Sequence, residues 1–195
     1  MTIYKTLTGT SGAYGHGDYA DYLPTKSEDG AYTPGDWLPP VKPEICSSGY
    51  HTCAGVEQLV HHLGESVYKA ETRGECVKGD DKQTHESIRL LRKVETWSER
   101  TARLFSVDCA RRVAHLTGDP ELTNACLDIC VAYAEFGDEW SAAREAASAA
   151  AREAAWDAAL AAAWAASRDA AWDAQANLLA RYLAGEEGPL VEVQS

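Results

Sequence analysis

The sequence lacks the features that would place the chain in a membrane or on nucleic acid. No apolar run approaches the ~18 residues of a membrane-spanning helix, and the first residues do not have the charged-then-apolar order of a secretory leader. Basic residues are scarce, since 18 Lys and Arg stand against 30 Asp and Glu, for a net charge of -12. An acidic chain does not neutralise phosphates or adhere to anionic lipid. We therefore expect a cytoplasmic protein with no nucleic-acid or membrane partner.

Lysine and proline are absent from much of the chain, and their distribution divides it. Every lysine lies at or before Lys93, and five of the seven prolines lie at or before Pro43. Alanine dominates after residue 139. We predict an α+β head over residues 1–95, an α-helical domain over 96–185 and a disordered tail over 186–195.

The head is predicted from short local patterns. Thr2 to Leu7 is typical of a strand, and Gly9 to Pro43 has no sustained period, which indicates an ordered loop with turns. The apolar positions from Val56 to Leu63 follow helical spacing, and Gly64 stands where a helix often ends. The remaining strands are predicted at 66–72 and 88–94.

The helical domain is predicted to contain three helices. Thr96 and Glu99 have the spacing of a capping box, which predicts a first helix running to about Thr117. Asp119 can cap a second helix with Pro120 at its first position, and this helix is predicted to end near Phe136.

The third helix is predicted to be long and rich in alanine. Residues 139–184 contain no glycine or proline, which predicts one helix of 46 residues. An eight-residue repeat spreads its tryptophans around the helix rather than along one stripe. Because two short helices cannot cover them all, we expect a homo-oligomer or a protein partner at Trp140, Trp156, Trp164 and Trp172.

The cysteines and histidines of the head suggest two interpretations. Cys46, His51, Cys53 and Cys76 could supply the four ligands of a zinc ion, which is the one cofactor considered. Their spacing departs from the usual pairs of zinc ligands. The favoured interpretation is that Gly49 makes a turn, Tyr50 and Cys53 enter the core, and His51 bonds a backbone group.

Motifs for catalysis are missing. The sequence has no phosphate-binding loop, dinucleotide fingerprint, zinc-protease helix or nucleophile elbow, so we predict no catalytic residue. A polar pocket for a phosphate or sugar is a second hypothesis for the head, with a charged surface turn as its alternative. Its candidate ligand-binding residues are His51, Tyr68, Glu71 and Lys82.

Two segments resemble known families. The stretch from Glu99 to Val113, the capped second helix, the Ala/Trp/Asp/Arg repeat and the closing segment 172–183 resemble an immunity-protein family found beside bacterial toxin genes and in actinobacterial phages. The segment from Lys42 to Cys53, with Tyr68 to Glu71 and Asp80 to Lys82, is similar to a phage-associated domain of unknown function. The first resemblance implies a helical protein in a bacterial host.

The function expected from these observations is protein binding without catalysis. The resemblance implies that the chain binds and neutralises a partner, such as a toxin or a defence protein, and its acidic surface favours a basic partner. Two other functions remain open. One is an enzyme or small-ligand sensor with its site in the head, and the other is an acidic DNA-mimic inhibitor.

Overall fold

The computed structural model describes residues 2–12, 16–136 and 168–186. The chain divides into two compact units, Met1–Trp97 and Ser98–Ser195. Sheets occupy the N-terminal unit and the longer helices follow, so the fold is broadly α+β. In the part of the chain that is described, no helix is long and apolar enough to cross a membrane.

The described residues of the N-terminal unit form eight strands and one short α-helix. A single turn of helix, α1, covers Val56–Leu59, and a 3-10 turn covers Ala20–Tyr22. The strands are β1 Ile3–Thr8, β2 Ser11–Gly12, β3 His16–Asp18, β4 Thr25–Lys26, β5 Tyr32–Thr33, β6 Tyr50–Ala54, β7 Ser66–Lys78 and β8 Gln83–Lys93.

Four of these strands close into a ring. β1 pairs with β6 on one side and β7 on the other, while β8 pairs with both β6 and β7, all antiparallel. Beyond the end of β6, β8 is bonded instead by the segment 35–41. The backbone amides of Gly35, Leu38 and Val41 donate hydrogen bonds to carbonyls of β8. A closed ring of so few strands is filled by side chains. Its core includes Leu7, Tyr19, Leu38, Tyr68, Ala70, Ile88 and Leu90.

The three predicted strands are confirmed in position, and two of them are too short, whereas the segment predicted as a loop from Gly9 to Pro43 contains the short strands β2, β3, β4 and β5. β7 runs on to Lys78 and β8 begins at Gln83, because a bulge between Arg73 and Cys76 lets the pairing continue. Gly74 in this bulge has a φ of 79°. The predicted helix ends early, at Leu59, and Gly64 does not cap it. Instead, the carbonyl of Gly64 accepts a hydrogen bond of 3.0 Å from the Trp97 indole.

The C-terminal unit contains α2 Glu99–Val113, α3 Pro120–Phe136 and α4 Arg168–Ala184. The predicted cap of α2 is wrong by two residues. Ser98 is the N-cap, and its hydroxyl accepts from the Thr101 backbone while the Thr101 hydroxyl accepts from the Ser98 backbone. Ser98 and Thr101 have the same spacing as the predicted pair, but the capping-box pattern favours Glu or Gln at the second position and therefore selected Thr96 and Glu99. The predicted cap of α3 is confirmed, because Asp119 Oδ1 accepts from the Leu122 backbone at 2.9 Å.

Side-chain contacts, buried and exposed, join α2 to α4. The Tyr182 hydroxyl donates to Asp108 Oδ2 at 2.6 Å, and the Tyr182 ring meets Phe105 edge to face at 5.9 Å. Arg112 donates to the Ala174 carbonyl at 3.1 Å. Most of the predicted 46-residue helix lies outside the described residues, as do Trp140, Trp156, Trp164 and nearly all of the predicted tail.

Candidate functional site

A pocket of about 290 Å³ opens beside the core of the N-terminal unit. It is formed by β1, β6, the turn before β6, β3 and the residue after it, the turn that follows α1, and the hairpin between β7 and β8. No carboxylate side chain belongs to the described lining, which is unusual in a chain of net charge -12. The lining residues are Tyr4, Lys5, Thr6, Gly17, Tyr19, Cys46, Ser47, Gly49, Tyr50, His51, Thr52, Cys53, His62 and Lys82.

Lys5 is the most unusual residue of this pocket. On β1 it alternates with Ile3 and Leu7, which both pack in the core, so its side chain lies on the apolar face of the strand. It is only 7% exposed. Its Nζ donates to the His51 carbonyl at 2.9 Å and lies 5.1 Å from the centre of the Tyr19 ring.

The ammonium of Lys5 has no anionic partner in the described part of the chain. Its contacts are a neutral carbonyl and an aromatic face, and the Cys53 thiol lies within electrostatic range. Burial disfavours the charged amine, and the pKa of Lys5 falls from 10.5 to about 8. Buried ammonium groups are normally paired with a carboxylate. Lys5 is therefore a cation whose surroundings leave room for an anion.

Thr52 adds a second unsatisfied group to the same pocket. The residue is 2% exposed, and its Oγ1 is the buried side-chain oxygen that has no hydrogen-bond partner among the described residues. Leaving such a hydroxyl unpaired costs about 1–3 kcal/mol.

A tight turn holds His51 at the pocket. Backbone bonds between Glu44 and Ser48 close this turn, and Cys46 adopts a φ of 61° within it. The Cys46 amide donates to His51 Nε2 at 3.0 Å. An Nε2 that accepts carries no proton, which places the proton of the neutral ring on Nδ1. The predicted backbone bond of His51 is thus confirmed.

The hairpin between β7 and β8 brings a second cation to the pocket. Lys82 lines it with 22% of its side chain exposed, and its Nζ lies 3.6 Å from Asp81 Oδ2. Asp81 also meets His62 Nε2 at 2.9 Å. Gln58 connects this hairpin to the end of β6, donating to the Asp80 carbonyl at 3.3 Å and accepting from the Ala54 amide at 2.8 Å.

Three of the four candidate zinc ligands, Cys46, His51 and Cys53, line the pocket, but the described residues do not gather them into a metal site. Cys53 is buried, and burial raises the pKa of its thiol to about 12, so it remains a thiol. Cys76 lies on β7 with its Sγ 4.0 Å from His85 Nε2. Among the described residues, no three His, Cys, Asp or Glu side chains are grouped so that they could hold a metal ion.

Two of the four predicted ligand-binding residues lie outside the pocket. His51 and Lys82 line it, whereas Tyr68 pairs in register with Lys5 but packs into the core. Glu71 forms an ion pair of 2.6 Å with Arg89, whose guanidinium stacks on Trp37.

Comparison with known proteins gives no further guide to this pocket. No family model, curated protein or solved structure gives a significant match to the chain. The residues that sequence reasoning missed are Lys5, Tyr19 and Thr52. The sequence does contain a sign of Lys5, because this lysine occupies a position that alternates with Ile3 and Leu7 on the apolar side of the predicted first strand.

Proposed function

We propose that the N-terminal unit binds a small organic anion in this pocket. The observation that carries the proposal is the buried Lys5 ammonium, which faces a cavity and has no carboxylate partner in the described residues. An anion placed there would supply the missing charge. This proposal follows the small-ligand sensor hypothesis, not the protein-binding one, for this unit.

The shape and lining of the pocket support a ligand with an aromatic or flat apolar part. Small-molecule sites span about 300–1,000 Å³, and a pocket of about 290 Å³ lies at the lower end of this range. Tyr19 and Tyr50 supply aromatic surface, with ring centres 6.4 Å apart. Lys82 adds a second positive charge at the hairpin.

Benzoate is a suitable probe, because it combines one carboxylate with one ring. Titrated into the full chain and followed by amide NMR, it should shift the signals of Lys5, Gly49 and Thr52 in a saturable way. Lys5→Met should weaken binding at least tenfold, since a charged hydrogen bond is worth about 1.5–3 kcal/mol.

Lys26→Met is the matched control, because it removes the same charge from an exposed pair with Glu95 outside the pocket. Its affinity for benzoate should equal that of the unaltered chain. Equal affinities for the Lys5 and Lys26 variants, or shifts scattered over the surface, would contradict the proposal.

For the C-terminal unit we propose a protein-binding role in the bacterial cytoplasm. The resemblance to immunity proteins implies a toxin or defence protein as partner, and the repeat implies a second copy of this chain. Two exposed apolar side chains support such contacts, Leu122 at 51% and Trp172 at 39% exposed. Single exposed apolar residues are common on protein surfaces, so the tryptophan repeat of the sequence carries this proposal and these two side chains only agree with it.

Sedimentation velocity tests self-association of the full chain. We expect an oligomer at about 20 μM that Leu122→Asp weakens, because a new carboxylate would be buried at the contact. Asn124→Asp adds the same charge two residues away at an exposed position and should leave the oligomer intact. A monomer for the unaltered chain, or equal weakening by both variants, would count against this role.

A further inference from the structure

Lys5 has the surroundings of a reactive amine as well as those of an anion-binding group. Its Nζ is held by a neutral acceptor, the His51 carbonyl at 2.9 Å, and not by a carboxylate that would keep it protonated. The amine lies on the apolar face of β1, among Tyr19 and core side chains. Lysines become nucleophilic when they are desolvated in this way.

We propose that Lys5 captures the carbonyl carbon of a small aldehyde or keto acid as an imine, with Lys82 positioned to pair with the carboxylate of that ligand. The inference rests on the proposed anion-binding function and names its ligand class. Both lysines line the same pocket, although they lie near opposite ends of the N-terminal unit in the sequence.

The reaction needs no oxidant or cofactor. The lone pair of the neutral Lys5 amine attacks the carbonyl carbon, and a proton from the nitrogen passes to the oxygen to give a carbinolamine. Loss of that oxygen as water, with a second proton from nitrogen, leaves the C=N bond. One amine and one carbonyl thus give one imine and one water, without change of oxidation state.

Several neighbours suit this chemistry. The pKa of Lys5 of about 8 leaves roughly a tenth of the amine neutral at pH 7, whereas an ordinary lysine has far less. The Cys53 thiol beside it stays protonated, because burial raises its pKa to about 12, so it does not compete as a thiolate.

The titratable side chains that line the pocket around Lys5 are Tyr4, Tyr19, Cys46, Tyr50, His51, Cys53, His62 and Lys82, and Tyr68 pairs with Lys5 across the strands. One carboxylate, Asp81, is paired with Lys82 and His62 and lies outside the described lining. Imine formation should therefore rise with pH from 6 to 8 as the amine of Lys5 loses its proton.

Trapping with glyoxylate and cyanoborohydride tests the proposal on the full chain. The hydride reduces the imine to a stable secondary amine, and peptide mass spectrometry locates the adduct among the seven lysines. Lys5 should be modified at least about tenfold faster than Lys26 or Lys69 at pH 7. Lys82→Met should raise the glyoxylate concentration needed for half-modification without moving the adduct.

Lys5→Arg separates covalent capture from anion binding. A guanidinium keeps the charge but forms no imine, so this variant should bind benzoate and give no pocket adduct. If the unaltered chain binds benzoate but Lys5 is trapped no faster than Lys69, covalent capture is overturned while the proposed function stands. If benzoate does not bind either, the proposed function itself fails.

Discussion

Replacing Lys5 with methionine should make the N-terminal unit more stable at pH 7, although it removes the group proposed to bind the ligand. A methionine fills a similar volume and needs no solvation, so the cost of burying an ammonium disappears. That cost is about 3 kcal/mol, the equivalent of lowering the pKa of Lys5 from 10.5 to about 8. The His51 carbonyl loses its donor, which costs about 1 kcal/mol. The net gain at pH 7 should be about 2 kcal/mol.

The pH dependence of this gain isolates the amine. The folded chain loses the Lys5 proton near pH 8, whereas the unfolded chain keeps it until about pH 10.5. Between these values the unfolded state binds more protons, so the unaltered chain becomes more stable as pH rises. The difference in unfolding free energy by which Lys5→Met exceeds the unaltered chain should therefore shrink by about 2–3 kcal/mol between pH 7 and pH 10.

Urea unfolding followed by the indole NMR signal of Trp97 reports on this unit, because Trp97 is 2% exposed and belongs to it. The Lys26→Met variant controls for losing an exposed charge, and its stability difference should change by no more than about 0.5 kcal/mol over the same range. If the difference in unfolding free energy between Lys5→Met and the unaltered chain does not change with pH, the site does not disfavour the ammonium.

Replacing Gly49 with alanine should disrupt the turn that carries His51. Gly49 has a φ of 81°, and an added Cβ would lie 2.7 Å from Thr84 Oγ1, 2.9 Å from Pro43 Cα and 3.0 Å from the His85 carbonyl oxygen. Two of these three atoms belong to the backbone and cannot rotate away. We expect the free energy of unfolding to fall by about 3–4 kcal/mol. This is the sum of about 1–2 kcal/mol for a left-handed alanine backbone and the cost of the clash.

Gly30→Ala separates the clash from the backbone cost. Gly30 has a similar φ of 86°, but a Cβ there would meet nothing within 4 Å. The Gly30→Ala variant should lose only about 1–2 kcal/mol of unfolding free energy in the same Trp97 assay. It should leave benzoate binding unchanged. Equal losses for the two variants would mean that the packing around Gly49 is not tight.

The local patterns of the sequence predicted much of the fold. Alternation placed β1 within one residue, and the Asp119–Pro120 pair placed the start of α3. These features depend on neighbours along the chain. The closure of the ring by β1 and β7 depends on pairing between residues about 60 positions apart, such as Thr6 with Val67, and no local pattern encodes it.

The site was predictable only where its residues sit in one segment. The turn at Gly49 and the backbone bond of His51 follow from the stretch between Cys46 and Cys53. The pocket itself needs β1 beside β6, which is a tertiary contact. Tyr68 illustrates the limit, because it is the partner of Lys5 in register and still packs into the core.

The pKa of Lys5 itself can be measured directly from the Cε and Nζ NMR signals of the full chain, with and without benzoate. We expect a pKa of about 8 in the free chain and a rise of at least one unit when benzoate is bound, because an anion stabilises the ammonium. A Lys5 pKa near 10.5 that benzoate does not change would contradict this expectation.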